Sequence, residues 1–201
     1  SQNMMNLVAS HDSPRFGTSF QNKQKYKYRM GARGNMALQL GPPDASVVRE
    51  MRTMLLHQFS FISAPHIWSG DELGMWGADD PDCRKPIIWR DVTHRPQVFT
   101  PDGKRHEPIP VKADDAMFTL HKQLIALRKK RPDWARGSLK YILADDDAMT
   151  LAYQREQGKH RSVVVFNFSN EPKTIRLKTG RINGAAVLAT SYRDAVKNVK
   201  T

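Results

Sequence analysis

The segment Asn6-Leu7-Val8-Ala9-Ser10-His11-Asp12-Ser13-Pro14-Arg15 decides how the fold is read. A short apolar run, Asn6 to Ala9, ends directly in a His-Asp pair. That pattern predicts a buried strand that delivers polar side chains at its end, the place where a parallel sheet presents groups to a ligand. Taken alone, the pair allows two readings. Asp12 caps the next turn with His11 as a polar neighbour, or both side chains face a ligand.

Outward from this segment, Ser13 to Pro43 reads as loop and weak helix, rich in Gly, Lys and Arg. Pro42-Pro43-Asp44 is a helix start signal with Asp44 as candidate cap. Val47, Val48, Met51, Met54, Leu55 and Phe59 then recur at helical spacing, which predicts a helix over 45–58. The apolar stretch from Phe61 to Trp68, closed by Gly70, predicts a second buried strand. Gly74 to Pro110 is dense in Pro, Asp, Gly and Arg and reads as a long structured loop without regular elements, a kind of segment that usually carries function. Met117, Leu120, Leu124 and Leu127 form one stripe of a helix over 115–131, with Pro132 beyond its basic last turn. After Gly137 the texture changes to short β-prone runs, 139–143, 148–155, 161–168, 174–177 and 185–189. Turn residues separate them, and the spacing predicts an antiparallel sandwich. The boundary falls near Pro132 to Gly137, giving domains over 1–134 and 135–201.

The chain has 201 residues, of which 39% are hydrophobic, enough to fill a core. No run approaches the roughly 20 consecutive apolar residues of a membrane span, so no membrane partner is expected. The single cysteine, Cys83, cannot form an internal disulfide. A formal charge of +12 raises the question of a nucleic-acid partner, with Lys23 to Arg33 as its most basic stretch. The positive residues are spread along the chain rather than gathered in one block, which favours a solvated surface. The cellular compartment is left open.

Three segments carry chemistry. The first is Ser10 to Arg15. The second is Gly70-Asp71-Glu72-Leu73-Gly74, whose acids could bind sugar hydroxyls or a metal, or pair with an Arg and cap a turn. The third is Asp79-Asp80-Pro81-Asp82-Cys83-Arg84-Lys85-Pro86, followed by Trp89. Asp80 and Arg84 place an acceptor and a forked donor on one loop, which suits vicinal sugar hydroxyls, and Trp89 offers an apolar face. The plain alternative is an internal Asp–Arg bridge that shapes the loop. The carboxylate spacing does not match an EF-hand.

In this order the segments resemble the α-amylase superfamily, and within it the neopullulanase, cyclomaltodextrinase and maltogenic amylase branch. The resemblance runs over about residues 6–177. It implies α/β plus all-β architecture: the last two strand-helix units of a (β/α)₈ barrel, the seventh strand ending at His11-Asp12 and the eighth near Gly70, followed by an antiparallel β-sandwich. A full barrel takes about 250 residues. The expectation is therefore a fragment, inactive alone, of a retaining α-glucan glycoside hydrolase whose carboxylate nucleophile and Glu acid/base follow the fourth and fifth strands. By resemblance Asp12 is the catalytic carboxylate that holds the sugar's hydroxyls, His11 bonds the same ring, and Asp80 and Arg84 grip the next glucose. The implied partners are an α-glucan oligosaccharide and the missing part of the barrel. Self-association through the open edges is expected as well. No cofactor and no metal ligand is assigned, although the resemblance allows calcium in a longer parent. A non-catalytic carbohydrate-binding relative and a basic nucleic-acid-binding module are the alternatives. Trp68-Ser69 stands where the family has a tyrosine pair, so the wall of the sugar site is altered.

Overall fold

The structure, a computed structural model, describes residues 4–23, 25 and 38–179. It contains two compact units. One comprises Ser1–Asn6, Leu55–Pro65 and Gln123–Thr201, the other Leu7–Met54 and His66–Lys122. Much of the basic Lys23 to Arg33 stretch and the whole 185–189 run lie outside the described residues.

The elements follow the hydrophobic pattern. Strand β1 (Met5–Leu7) and strand β2 (Ala64–His66) form a two-stranded sheet, and Ala64 N donates to the Met4 carbonyl at 3.1 Å. Helix α1 (Phe16–Gln21) is short, with Phe16, Gly17 and Thr18 buried. Helix α2 (Ala45–Ser60) starts where the Pro-Pro-Asp signal predicts, with the Asp44 carbonyl accepting the Val48 N–H at 2.9 Å. Met51, Leu55 and Phe59 are its buried stripe. Helix α3 (Asp115–Lys130) is capped by Asp114, whose Oδ1 accepts the N–H groups of Ala116 and Met117, both at 2.9 Å.

Three expectations need correction. Neither strand read as buried is so: β1 pairs only with β2 among the described residues, Met5 and Leu7 are exposed with only Ala9 buried, and in β2 Ala64 is exposed and Pro65 and His66 are half-buried. The 74–110 loop contains an antiparallel hairpin, β3 (Gln97–Phe99) with β4 (Arg105–Ile109), registered Gln97↔Ile109 and Phe99↔Arg105. Its tip is closed by Thr100 and by Gly103 at φ +82°. The 174–177 run forms no strand.

In the unit that includes the C-terminal part of the chain, a short helix α4 (Pro132–Arg136) leads into β5 (Ser138–Asp145), β6 (Thr150–Gln157) and β7 (His160–Asn167). These three strands form one antiparallel sheet in the order β5-β6-β7. Trp134, Tyr153, Val164 and Phe166 are its core, packed by Leu56, Phe61, Leu127, Leu139 and Leu151. Two arginines tie this unit together by its carbonyls. Arg128 donates to the carbonyls of Phe59, Phe61 and Ser63, and Arg155, fully buried on the central strand, donates to those of Ser60, Gly137 and Ser138. A guanidinium satisfies several orphaned carbonyls at once, among them those at the α2 C-terminus. Among the described residues no helix is long and apolar enough to cross a membrane.

The other unit has its own core of Leu73, Met75 and Ile88, with Ile87, Val111, Ala113 and Phe118 against it. Asn22, 1% exposed, closes the base of the long excursion: its Nδ2 donates to Gln39 O and its Oδ1 accepts Gln39 N–H, at 2.9 and 2.7 Å. This unit carries all three chemistry-bearing segments.

Candidate functional site

The loop after β1 is folded by its serines. Ser13 Oγ accepts the Ser10 N–H at 3.1 Å and Ser10 Oγ accepts the Asp12 N–H at 3.2 Å. Local capping is thus done by hydroxyls, and the Asp12 carboxylate points elsewhere. Its Oδ1 lies 3.3 Å from Arg84 Nη2, and its Oδ2 lies 3.2 Å from His11 Nε2.

Arg84 is the hub. Its Nε lies 2.7 Å from Asp80 Oδ1 and donates to the His11 carbonyl at 3.1 Å, while Cys83 Sγ donates to the same carbonyl at 3.1 Å. The loop that carries Arg84 is rigid for identifiable reasons. Residues Asp82–Arg84 make one 3₁₀ turn, and Asp82 Oδ2 accepts the Ala78 N–H at 2.7 Å. Lys85 Nζ reaches Asp82, the Trp76 carbonyl and Gln97 Oε1, the last at 2.8 Å. Burial pushes the Lys85 ammonium below its ordinary pKa, against the pull of Asp82.

His11, Asp12, Asp80 and Arg84 therefore converge, although Asp12 and Arg84 are 72 residues apart. Their side chains are 45–69% exposed. Exposed ion pairs of this kind contribute little to stability, about 0–1 kcal/mol, so this cluster does not hold the unit together. Beside it is an open depression of about 420 Å³ lined by His11, Arg15, Trp68, Ser69, Arg84, Lys85 and Ile87. Asp12 and Asp80 are not among the lining residues and reach it through Arg84. The His11 ring faces Trp68, centroids 5.9 Å apart.

The second segment is structural. Gly70 and Gly74, at φ +99° and +68°, frame a 3₁₀ turn at Asp71–Leu73 in a conformation open to glycine. Glu72 Oε2 accepts the Gly70 N–H at 2.8 Å, which closes that turn. Asp71, 3% exposed, faces Arg15, 2% exposed, at 3.3 Å. Loss of solvation raises the Asp71 pKa to about 7, against the nearby Arg15 charge. Trp89 is 60% exposed and does not line the depression. Of the lining residues, sequence reasoning assigned no role to Arg15 and Lys85 within their segments, passed over Ile87, and did not foresee Trp68 as a contact of His11. For Arg15 the only signal was its place three residues after the His-Asp pair. Among the described residues no group of three His, Cys, Asp or Glu is placed to hold a metal.

The site is thus an exposed Asp–Arg–Asp cluster beside an open depression walled by Trp68 and His11. Over most of its length the chain is 29% identical to a cyclomaltodextrinase of Geobacillus thermopakistaniensis, covering 85% of this chain and 22% of that protein. It is 29% identical to neopullulanase 2 of Thermoactinomyces vulgaris, covering 91% and 24%. A solved cyclomaltodextrinase superposes with a TM-score of 0.55 at 25% identity, covering 83% of this chain and 21% of that one. No protein-family model matches. The chain is homologous to glycoside hydrolases of the α-amylase superfamily, on the cyclomaltodextrinase, neopullulanase and maltogenic amylase branch. It spans about a fifth to a quarter of the length of these relatives. These relatives do not favour a nucleic-acid-binding role.

Proposed function

We propose that this chain supplies the sugar-clasping part of an α-glucan-cleaving site, built from the last two strand-helix units of a (β/α)₈ barrel. In this reading Asp12 holds hydroxyls of the ring being cleaved, His11 bonds the same ring, and Asp80 with Arg84 grips the neighbouring glucose. One observation carries it: Arg84 joins the Asp12 loop to the Asp80 loop in a single exposed cluster beside the Trp68 depression.

In retaining hydrolysis one carboxylate attacks the anomeric carbon, a second carboxyl protonates the leaving oxygen, and the ring flattens as positive charge develops. A third carboxylate whose contacts tighten during that flattening lowers the barrier, whereas one that binds ground and transition state equally does not. Asp12 fits the third role. Asp71 is unsuited to the acid role despite its raised pKa, because a carboxyl that is 3% exposed cannot reach a substrate. The nucleophile and acid/base belong to sequence equivalent to the fourth and fifth barrel strands, so the chain alone turns over no substrate.

The test is Asp12→Asn in a protein that carries this segment together with that sequence. Loss of one contact made in the transition state cuts kcat by about 10²–10³ with KM little changed. Near-normal kcat would remove Asp12 from the mechanism, and maltotriose hydrolysis by the chain alone would refute its dependence on other carboxylates.

A further inference from the structure

Arg15 is an unusual residue for its position. It is 2% exposed, yet it carries a charge that an apolar side chain of similar volume would avoid burying. Replacing buried ion pairs by packed apolar residues is often neutral or stabilising, so stability alone is a weak account of its presence. Its contacts are geometric. The backbone N–H donates to the Gly77 carbonyl at 3.0 Å. Nη1 donates to the Ser69 carbonyl at 2.6 Å and to Asp71 Oδ1 at 3.3 Å. The guanidinium carbon lies 5.3 Å from the centroid of the Trp68 ring, whose other neighbour is the His11 ring. Arg15 is also the third residue after Asp12, on the same loop, and it lines the depression itself.

We infer that Arg15 is a positioning residue: it locks the Trp68–Ser69–Asp71 segment to the loop carrying His11 and Asp12, and so fixes the aromatic wall against which a glucose ring lies. The inference rests on the sugar-site reading above, which it deepens. One nitrogen, Nη1, donates to both a carbonyl and a carboxylate while the planar guanidinium sits over the indole, a placement that the compact ammonium of a lysine on its flexible stem does not reproduce. Asp71 serves as the acceptor for Nη1. Its Oδ2 has no hydrogen-bond partner among the described residues, so its contribution to the lock runs through Oδ1 to Arg15.

The experiment uses the chain labelled with 5-fluorotryptophan, its Trp68 resonance assigned by Trp68→Phe, and maltotriose as the probe. In Arg15→Lys the Trp68 resonance moves, the Trp134 resonance and the thermal melting profile are retained, and maltotriose affinity falls about tenfold, since misplacement of about 1 Å in a positioned group costs that much or more. A folded Arg15→Lys protein with the Trp68 resonance in place and affinity within about twofold of the parent overturns the inference. Should Arg15→Lys fail to fold, Asp71→Asn takes its place, with a smaller movement of the resonance in the same direction expected and no movement counting against the inference. If the parent chain does not bind maltotriose at millimolar concentration, the sugar-site reading falls, and the Trp68 resonance alone decides whether Arg15 positions that wall.

Discussion

Asp71 makes the stability of its unit depend on pH in a direction opposite to ordinary acid denaturation. The carboxyl is 3% exposed, Arg15 approaches only one of its oxygens, at 3.3 Å, and its pKa stands at about 7 against 3.8 for a free aspartate. With the folded pKa above the unfolded one, the native state binds more protons across that interval, so stability is fully present below about pH 4 and is lost as pH rises through about 7. A tenfold change in proton affinity is worth about 1.4 kcal/mol, so the roughly thousandfold difference between the folded and unfolded carboxyl amounts to about 4 kcal/mol at most. Asp71→Asn removes this dependence and nothing else that titrates at that site. Urea unfolding of parent and variant between pH 4.5 and 8 should therefore show the variant gaining relative stability as pH rises. The difference should level off above about pH 8. A difference independent of pH would refute the reasoning and would mean that Arg15 keeps Asp71 ionised in the folded state throughout this range.

Two further substitutions probe the packing. In Tyr153→Phe the buried hydroxyl that meets Ser60 Oγ at 2.6 Å is lost. The cost should be about 1–2 kcal/mol. Differential scanning calorimetry should show it as a fall in Tm of roughly 2–8 °C, and no fall would mean that this bond is not made in solution. Gly74→Ala forces a Cβ into a position at φ +68° and to within 2.8 Å of the Asp114 side chain that caps α3. Backbone strain and the disturbed cap together should cost about 2 kcal/mol or more in urea unfolding, and a neutral result would contradict the backbone conformation described for this turn.

The long elements were legible because their signals are local. The 3.6-residue recurrence of Met51, Leu55 and Phe59 after Pro42-Pro43-Asp44 places a helix at Ala45–Ser60, against 45–58 expected. The antiparallel run of β5, β6 and β7 was legible in the same way, from β-prone runs separated by turn residues. The β3–β4 hairpin was missed because Pro96, Pro101 and Pro108 argue against strands, and the Asp102-Gly103 turn signal among them was not read. The burial of β1 was misjudged since an apolar run says that a segment can be covered, not what covers it. At the site, the Asp80–Arg84 pair is readable as neighbours on one loop, but the Asp12–Arg84 contact spans 72 residues and entered only through the family resemblance. Arg15 was legible only as the last residue of the first chemistry-bearing segment, because nothing in the local sequence says that this arginine is buried, and the structure places it 2% exposed with its guanidinium over the Trp68 ring.

The central claim is that His11, Asp12, Asp80 and Arg84 form one sugar-holding cluster, and the most direct measurement is a maltotriose titration of the chain followed through the His11 ring and Arg84 Nε–H resonances. Both are expected to move together and saturate with a single Kd in the millimolar range, and the movement should disappear in Arg84→Met. Resonances that stay still at saturating maltotriose, or that move only around Trp89, would contradict the claim.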